Sequence, residues 1–174
     1  MKHGARGFTL IELMTAILVL AILMGMGIPS YREMARNNRV TASTNDLVTA
    51  LSMARSEALR RSVPVSVCAS TTGTSCVTAA DTLTDWTTGW IVFTDTGTAG
   101  TVDGGDAPIQ QWGAPSGDTK LRGSGSYVTY TPTGILSKTR NFDVYFNNCT
   151  GNKARHVDIT LMGLLNMTTK TACP

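Results

Sequence analysis

The sequence predicts an α+β fold in which one long N-terminal helix, transmembrane in character over its first half and amphipathic over its second, packs on an antiparallel β-sheet head. Three observations carry this reading. Phe8 to Pro29 is almost wholly apolar, Tyr31 to Ser62 contains neither glycine nor proline, and the chain beyond Pro64 breaks into short β-rich runs separated by Thr, Gly, Ser and Asp. With 174 residues the chain holds one ordinary domain and one long extra element rather than two independent domains. The segments are therefore a basic lead at 1–7, an apolar helix at 8–29, an amphipathic arm at 30–62 and a β-rich head at 63–174.

The apolar segment comes first. Phe8 to Pro29 is long enough, at roughly 20 residues per bilayer crossing, to span a membrane as one helix. Gly25 and Gly27 mimic the small-residue cleavage site of a secretory signal peptide, the competing reading, but such a signal does not require an acid inside its apolar stretch. Glu12 is that acid. An ionised side chain in a membrane helix costs about 2.5 to 3.5 kcal/mol on insertion scales, so it calls for a partner. No basic residue lies within helical reach inside the run. A cut after Gly7 would create a positive α-amino group at Phe8, four residues before Glu12, and the amine of a neighbouring chain could pair with the acid in the same way.

The arm follows. Pro29 can kink or loosen the helix, after which Val40, Leu47, Leu51, Ala54 and Ala58 recur at helical spacing to form an apolar stripe, with Arg39, Asp46, Arg55 and Arg61 largely off it. Val63-Pro64 ends the helix, because proline disfavours helical conformation at itself and at the residue before it. Strands are expected at Val65 to Ala69, Trp90 to Thr94, Ile109 to Trp112, Tyr127 to Thr131, Phe142 to Asn147 and Val157 to Leu161. Ser70 to Thr88 reads as the longest irregular stretch. Trp86, Trp90 and Trp112 read as core or sheet-edge aromatics.

Charge and cysteines bound the chemistry. Six acids and no Lys or Arg fall between Asp81 and Asp118, whereas Lys120 to Lys170 carries seven basic residues against Asp143 and Asp158. A net charge of +3 is too small to indicate nucleic-acid binding by itself. Cys68, Cys76, Cys149 and Cys173 all follow the apolar segment, an even number in the part that would be exported, and imply two disulfides and an oxidising compartment. Of three possible connectivities, Cys68 with Cys76 and Cys149 with Cys173 closes the shortest loops. No pair has C-x-x-C spacing and His156 is the one histidine outside the lead, so a zinc site with two or more histidines is excluded and a redox motif is unsupported. Asp95, Asp103 and Asp106 lack the spacing of an EF-hand loop and read as solvated turns. No nucleophile elbow, Walker loop or dinucleotide fingerprint occurs. The chain is expected to be no enzyme and to need no cofactor or metal.

Gly7-Phe8-Thr9-Leu10-Ile11-Glu12 with its following apolar run resembles the N-terminal signal of type IV prepilins and type II secretion pseudopilins. The resemblance implies that a prepilin peptidase cuts after Gly7 and methylates Phe8, and that Glu12 neutralises a neighbour's terminus during filament assembly. It also places the helix across the inner membrane in a single pass with a periplasmic head, before incorporation into a pilus or pseudopilus. Orientation does not follow from charge, because Lys2 and Arg6 are balanced by Arg32, Arg36 and Arg39. Gly89-Trp90-Ile91-Val92-Phe93-Thr94-Asp95 and Asp103-Gly104-Gly105-Asp106 resemble the head of the GspH and FimT/FimU-like group of minor pseudopilins and minor pilins.

Three functions stand on these residues: a minor pilin in priming or tip assembly, which we favour, a type II secretion minor pseudopilin, and a DNA-binding pilin. The resemblance implies partnership with other pilin or pseudopilin subunits. DNA is not expected as a partner. DNA-uptake members of the group carry Gly-Arg-x-Arg in a loop near the C-terminus, whereas the matching place here is Gly163-Leu164-Leu165-Asn166, which has the glycine and neither arginine.

Overall fold

The computed structural model describes residues 7–78, 81–170 and 172–174, so Met1 to Arg6 of the expected leader lie outside the described residues. The chain divides into two compact units, one reaching to Ala35 and the other spanning Arg36–Pro174.

A single helix, α1 (Leu10–Arg61), supplies the first unit and enters the second. Thr9 caps its start: the Thr9 hydroxyl accepts the Glu12 backbone N–H at 3.3 Å, and the Thr9 carbonyl accepts the N–H of Leu13 at 3.2 Å. Helix continues through Pro29, which removes one N–H without ending the element. The side chains from Phe8 to Ile28 are exposed all round, on a helix long and apolar enough to cross a membrane. At the other end Ser62 takes a left-handed conformation (φ 56°) and Val63-Pro64 turns the chain into the head.

The second unit has its own core. Two antiparallel sheets enclose the arm: a four-stranded sheet ordered β4 (Pro108–Trp112), β3 (Trp90–Thr94), β1 (Val65–Ala69), β6 (Tyr127–Tyr130), and a five-stranded sheet ordered β2 (Thr84–Asp85), β5 (Thr119–Gly123), β7 (Arg140–Phe146), β8 (Arg155–Ile159), β9 (Leu165–Thr169). Val40, Leu47, Leu51, Ala54 and Ala58 of α1 share one apolar cluster with Val65, Val67, Val92 and Val128 of the first sheet and Leu121, Phe142, Val144 and Val157 of the second. The predicted stripe is thus the buried face, widened by Ser43, Thr44 and Ala50.

β1 and β3 are buried on both faces. Their outer face carries a second cluster of Cys68, Ile91 and Phe93, covered by Cys76 and Val102 from the loops beyond and by Tyr127 of β6. This double burial is why both strands are legible as largely apolar runs, broken in β1 by Ser66 alone. Trp86 and Trp90 are core residues, and Trp112 stacks on Trp90 with ring centroids 6.5 Å apart. The Trp86 indole N–H donates to the Gly125 carbonyl at 2.9 Å, and its ring meets Phe142 edge-on at 4.9 Å. Gly123 makes room for that pair, since a Cβ there would sit 2.7 Å from the indole nitrogen and 2.8 Å from the Phe142 ring.

Three strands were not expected: β2, β5 and β9. β2 lies inside the stretch read as irregular, and Thr119-Lys120-Leu121-Arg122-Gly123 and Leu165-Asn166-Met167-Thr168-Thr169 lack β-branched and aromatic density. They become strands by pairing with β7 and β8, where tertiary context overrides propensity. Other ends shift by one or two residues. β7 and β8 begin earlier than read, at Arg140 and Arg155, and β8 stops at Ile159 because Thr160–Leu164 forms the turn into β9.

Candidate functional site

The sequence-predicted residues fall into separate places. Gly7 and Phe8 precede the helix, and Phe8 is 81% exposed. A Cβ added at Gly7 would meet nothing within 4 Å, so no packing among the described residues requires glycine there. Glu12 stands three residues after the capping Thr9, in the arrangement of a capping box and at the positive end of the helix dipole. That position moderates the cost of the charge, and the T-x-x-E pattern that signals it was present in the sequence but unread. Among the described residues the Glu12 carboxylate has no ion-pair partner, while Leu10, Ile11, Leu13 and Met14 around it are all more than half exposed.

The cysteines are far from this acid in sequence and act on the head. The structure bonds Cys68 to Cys76 and Cys149 to Cys173, with Cα separations of 5.6 and 5.9 Å. The first bond ties the Ser70–Ser75 loop across the outer face of β1. The second ties the C-terminal segment to the β7–β8 connection.

The aspartates of the β3–β4 connection are not simply solvated turns. Asp95 is 3% exposed, and one carboxylate oxygen accepts the Gly100 N–H at 2.8 Å and the Ser66 hydroxyl. Asp106 accepts the Thr96 N–H at 2.8 Å and the Asp103 N–H at 3.1 Å, and Asp103 accepts the Thr98 N–H at 2.9 Å. Each carboxylate staples backbone donors, a use that acid- and glycine-rich turns share. Burial pushes the Asp95 carboxyl above its ordinary range, reinforced by Asp106 and Asp103 and opposed by its hydrogen bonds. Asp106 is held below its ordinary range by the donated hydrogen bonds of Thr96 and Asp103, which outweigh a burial effect of opposite sign. No cluster of metal-ligating side chains occurs among the described residues.

His156, the one histidine outside the lead, lies in a network. Nδ1 is 2.5 Å from Asp143 Oδ1, Nε2 is 3.1 Å from Asp158 Oδ1, and Lys170 donates to the other Asp143 oxygen at 2.6 Å. The geometry is that of cross-strand neighbours on β7 and β8, whose register sets Asp143 opposite His156. It ties β7 to β8 and to the residue that follows β9. Arg55 likewise leaves solvent for the head: its guanidinium donates to the Gly163 carbonyl at 3.1 Å and the Met162 carbonyl at 2.9 Å, pinning the β8–β9 turn to the arm.

An exposed apolar helix of membrane length, joined to a head whose two antiparallel sheets pack on the helix's second half, is the architecture of a pilin-class subunit. The chain belongs to the GspH family: the family model for type II transport protein GspH matches residues 43–163, and that for the prokaryotic N-terminal methylation motif matches residues 2–28. The fold is similar to that of the type IV minor pilin FimU of Pseudomonas aeruginosa in two crystal forms. One shares 19% identity and covers 81% of this chain and 99% of that one with a TM-score of 0.61. The other, also at 19%, covers 77% and 99% with a TM-score of 0.57. No curated protein matches the chain.

Proposed function

We propose that this chain is a minor subunit of a type IV pilus, inserted in the inner membrane and acting in priming or at the tip of the filament. The observation that carries the reading is a lipid-length apolar helix bearing a single acid that no described residue of the same chain neutralises. A helix so exposed needs lipid before assembly and other helices after it, and the acid needs a cation that a neighbour's N-terminus would supply. In this reading residues 1–7 are removed by a prepilin peptidase, Phe8 becomes the methylated terminus, and Glu12 receives the next subunit's amine. The open surroundings of Gly7 support it, since the requirement for glycine then lies in the peptidase. Residues 8–29 form the anchor, 30–62 the arm and 63–174 the periplasmic head.

The second reading, a type II secretion minor pseudopilin, is favoured by the description of the matching family model. The two share every residue role, and the pilus is preferred for the fold likeness to a type IV minor pilin. DNA is not a partner in either. The turn at Gly163 presents Leu164, Arg55 beneath it is committed to carbonyls, and Lys170 is paired with Asp143. A mobility shift at micromolar protein and physiological salt would return DNA uptake to consideration.

Mass spectrometry of purified filaments tests the main reading. It should find this chain at low copy number, beginning at methylated Phe8. Gly7→Val should accumulate the unprocessed form, and Glu12→Ala should be processed yet fall at least about tenfold in filaments. A mature chain starting near Pro29, or filaments built chiefly of this subunit, would sink the proposal.

A further inference from the structure

The two sheets have four edges, and three are guarded against pairing with other chains. β4 opens with Pro108, and its pairing with β3 is interrupted by a register shift at Val92/Phe93. β2 is two residues long. β6 is covered by its own returning chain, with Thr131 N–H bonded to the Ile135 carbonyl, a bridge between Tyr130 and Leu136, and Ser137 N–H bonded to the Thr129 carbonyl. Proline, bulges, brevity and covering segments are the usual means by which sheets blunt their edges.

The fourth edge has none of them. β9, Leu165-Asn166-Met167-Thr168-Thr169, contains no charge and no proline, pairs with β8 in unbroken register, and is exposed from Asn166 onward. Thr160 N–H donates to the Leu164 carbonyl at 3.1 Å and Lys170 N–H to the Ala154 carbonyl at 3.0 Å. In an antiparallel pair such bonds alternate, so the even-numbered positions of β9 face β8 and the backbone groups of Leu165, Met167 and Thr169 point off the sheet. Among the described residues none takes them up.

We propose that the β9 edge is an interaction surface that accepts an extended strand from a different subunit of the same filament. The inference rests on the filament reading above and deepens it. Main-chain bonds to Leu165, Met167 and Thr169 would supply affinity, and side chains at alternate positions would supply specificity. Beside the edge a cavity of about 250 Å³ is lined by Met167, Thr168 and Thr169 of β9, by Arg155 of β8 and by Thr41, Thr44 and Asn45 of the arm, and is open to such side chains. Met162, Leu164 and Met167, which are 66%, 59% and 54% exposed, continue an uncharged apolar border along it. The occupant is therefore an extended segment with apolar residues at alternate positions and no basic residue facing Arg155. A second copy of this chain is excluded as that occupant in the filament. Antiparallel pairing of β9 with itself is two-fold symmetric and would reverse one arm relative to the other, whereas filament contacts are heterologous and keep subunits running the same way.

The test uses the full chain in cells that assemble its filament. A benzophenone amino acid at Met167 should crosslink to a different subunit, while the same group at Gln110 on the guarded β4 edge should not. Met167→Lys and Met167→Pro should each lower incorporation at least about tenfold, with unfolding of the head little changed, since the Met167 N–H makes no bond to β8. Wild-type incorporation of both variants, or crosslinks joining two copies of this chain, would overturn the inference while leaving the filament reading intact. Absence of the unmodified chain from filaments would end both.

Discussion

Leu18 and Leu51 occupy the same helix in the same backbone conformation, yet Leu18 is 63% exposed and Leu51 is fully buried. Secondary structure does not distinguish the two halves of α1. What differs is where their partners are: the arm finds two sheets within its own unit, and the apolar half of the helix is exposed among the described residues. The arm therefore carries small residues, Ala50, Ala54 and Ala58, where sheet strands approach closely, whereas the anchor is apolar all round. A helix apolar on every side is built for lipid or for other helices, and one with a stripe is built for a particular surface.

The sharpest way to break this comparison is to truncate one leucine in each half. Leu51→Ala should destabilise the head by about 2 to 5 kcal/mol through lost burial and a cavity, read as a lower denaturant midpoint. Leu18→Ala should leave that midpoint unchanged. Equal effects would mean that the anchor packs on the head after all.

A somewhat smaller effect should separate the halves by redox chemistry. Loop-closure entropy predicts a loss of about 2.5 kcal/mol on removing Cys68–Cys76 and about 3.5 kcal/mol on removing Cys149–Cys173, whose loop is longer. Reduction should lower the melting temperature of the head and leave the helicity of the anchor in detergent unaltered. Non-reducing peptide mapping of the native chain checks the two pairs directly.

The smallest effect concerns Tyr130, whose hydroxyl is buried with no hydrogen-bond partner among the described residues. Burial pushes its pKa up to about 12 from 10.0, Arg55 acting weakly the other way. The folded state thus disfavours ionisation, so the head should hold this stability below pH 10 and lose it as pH rises from 10 towards 12. Tyr130→Phe should flatten that alkaline loss relative to the unmodified head. At pH 7 it should be neutral or stabilising by up to about 1 kcal/mol, because no bond is lost and an unsatisfied polar group is removed. A marked destabilisation at pH 7 would show that the hydroxyl has a partner.

Glu57 makes a milder contrast within the arm. Hydrogen bonds from Arg60 and Arg61 hold its carboxyl down to about 2, but all three are surface groups and their pairing should be screened by salt. The last turn of the helix is therefore not where the head's stability resides.

By itself the sequence determined the apolar first half of α1, the arm stripe, the stop at Val63-Pro64 and the two doubly buried strands, because each depends on a local run of one kind of residue. It also contained the Gly7-Phe8-Glu12 signal, whose chemistry is set by spacing along the chain. Only the tertiary structure decided the rest. Lys120 and Arg122 hid β5, and polar Asn166 and Thr168 hid β9, until a neighbouring strand supplied their hydrogen bonds. Asp95 became a buried staple because Ser66 of β1 meets it from 29 residues away, and His156 joined a network because β7 sets Asp143 opposite it. Local runs report what a segment can become; hydrogen-bond partners far apart in sequence report what it is, since a polar group's environment depends on which other chain segments fold against it.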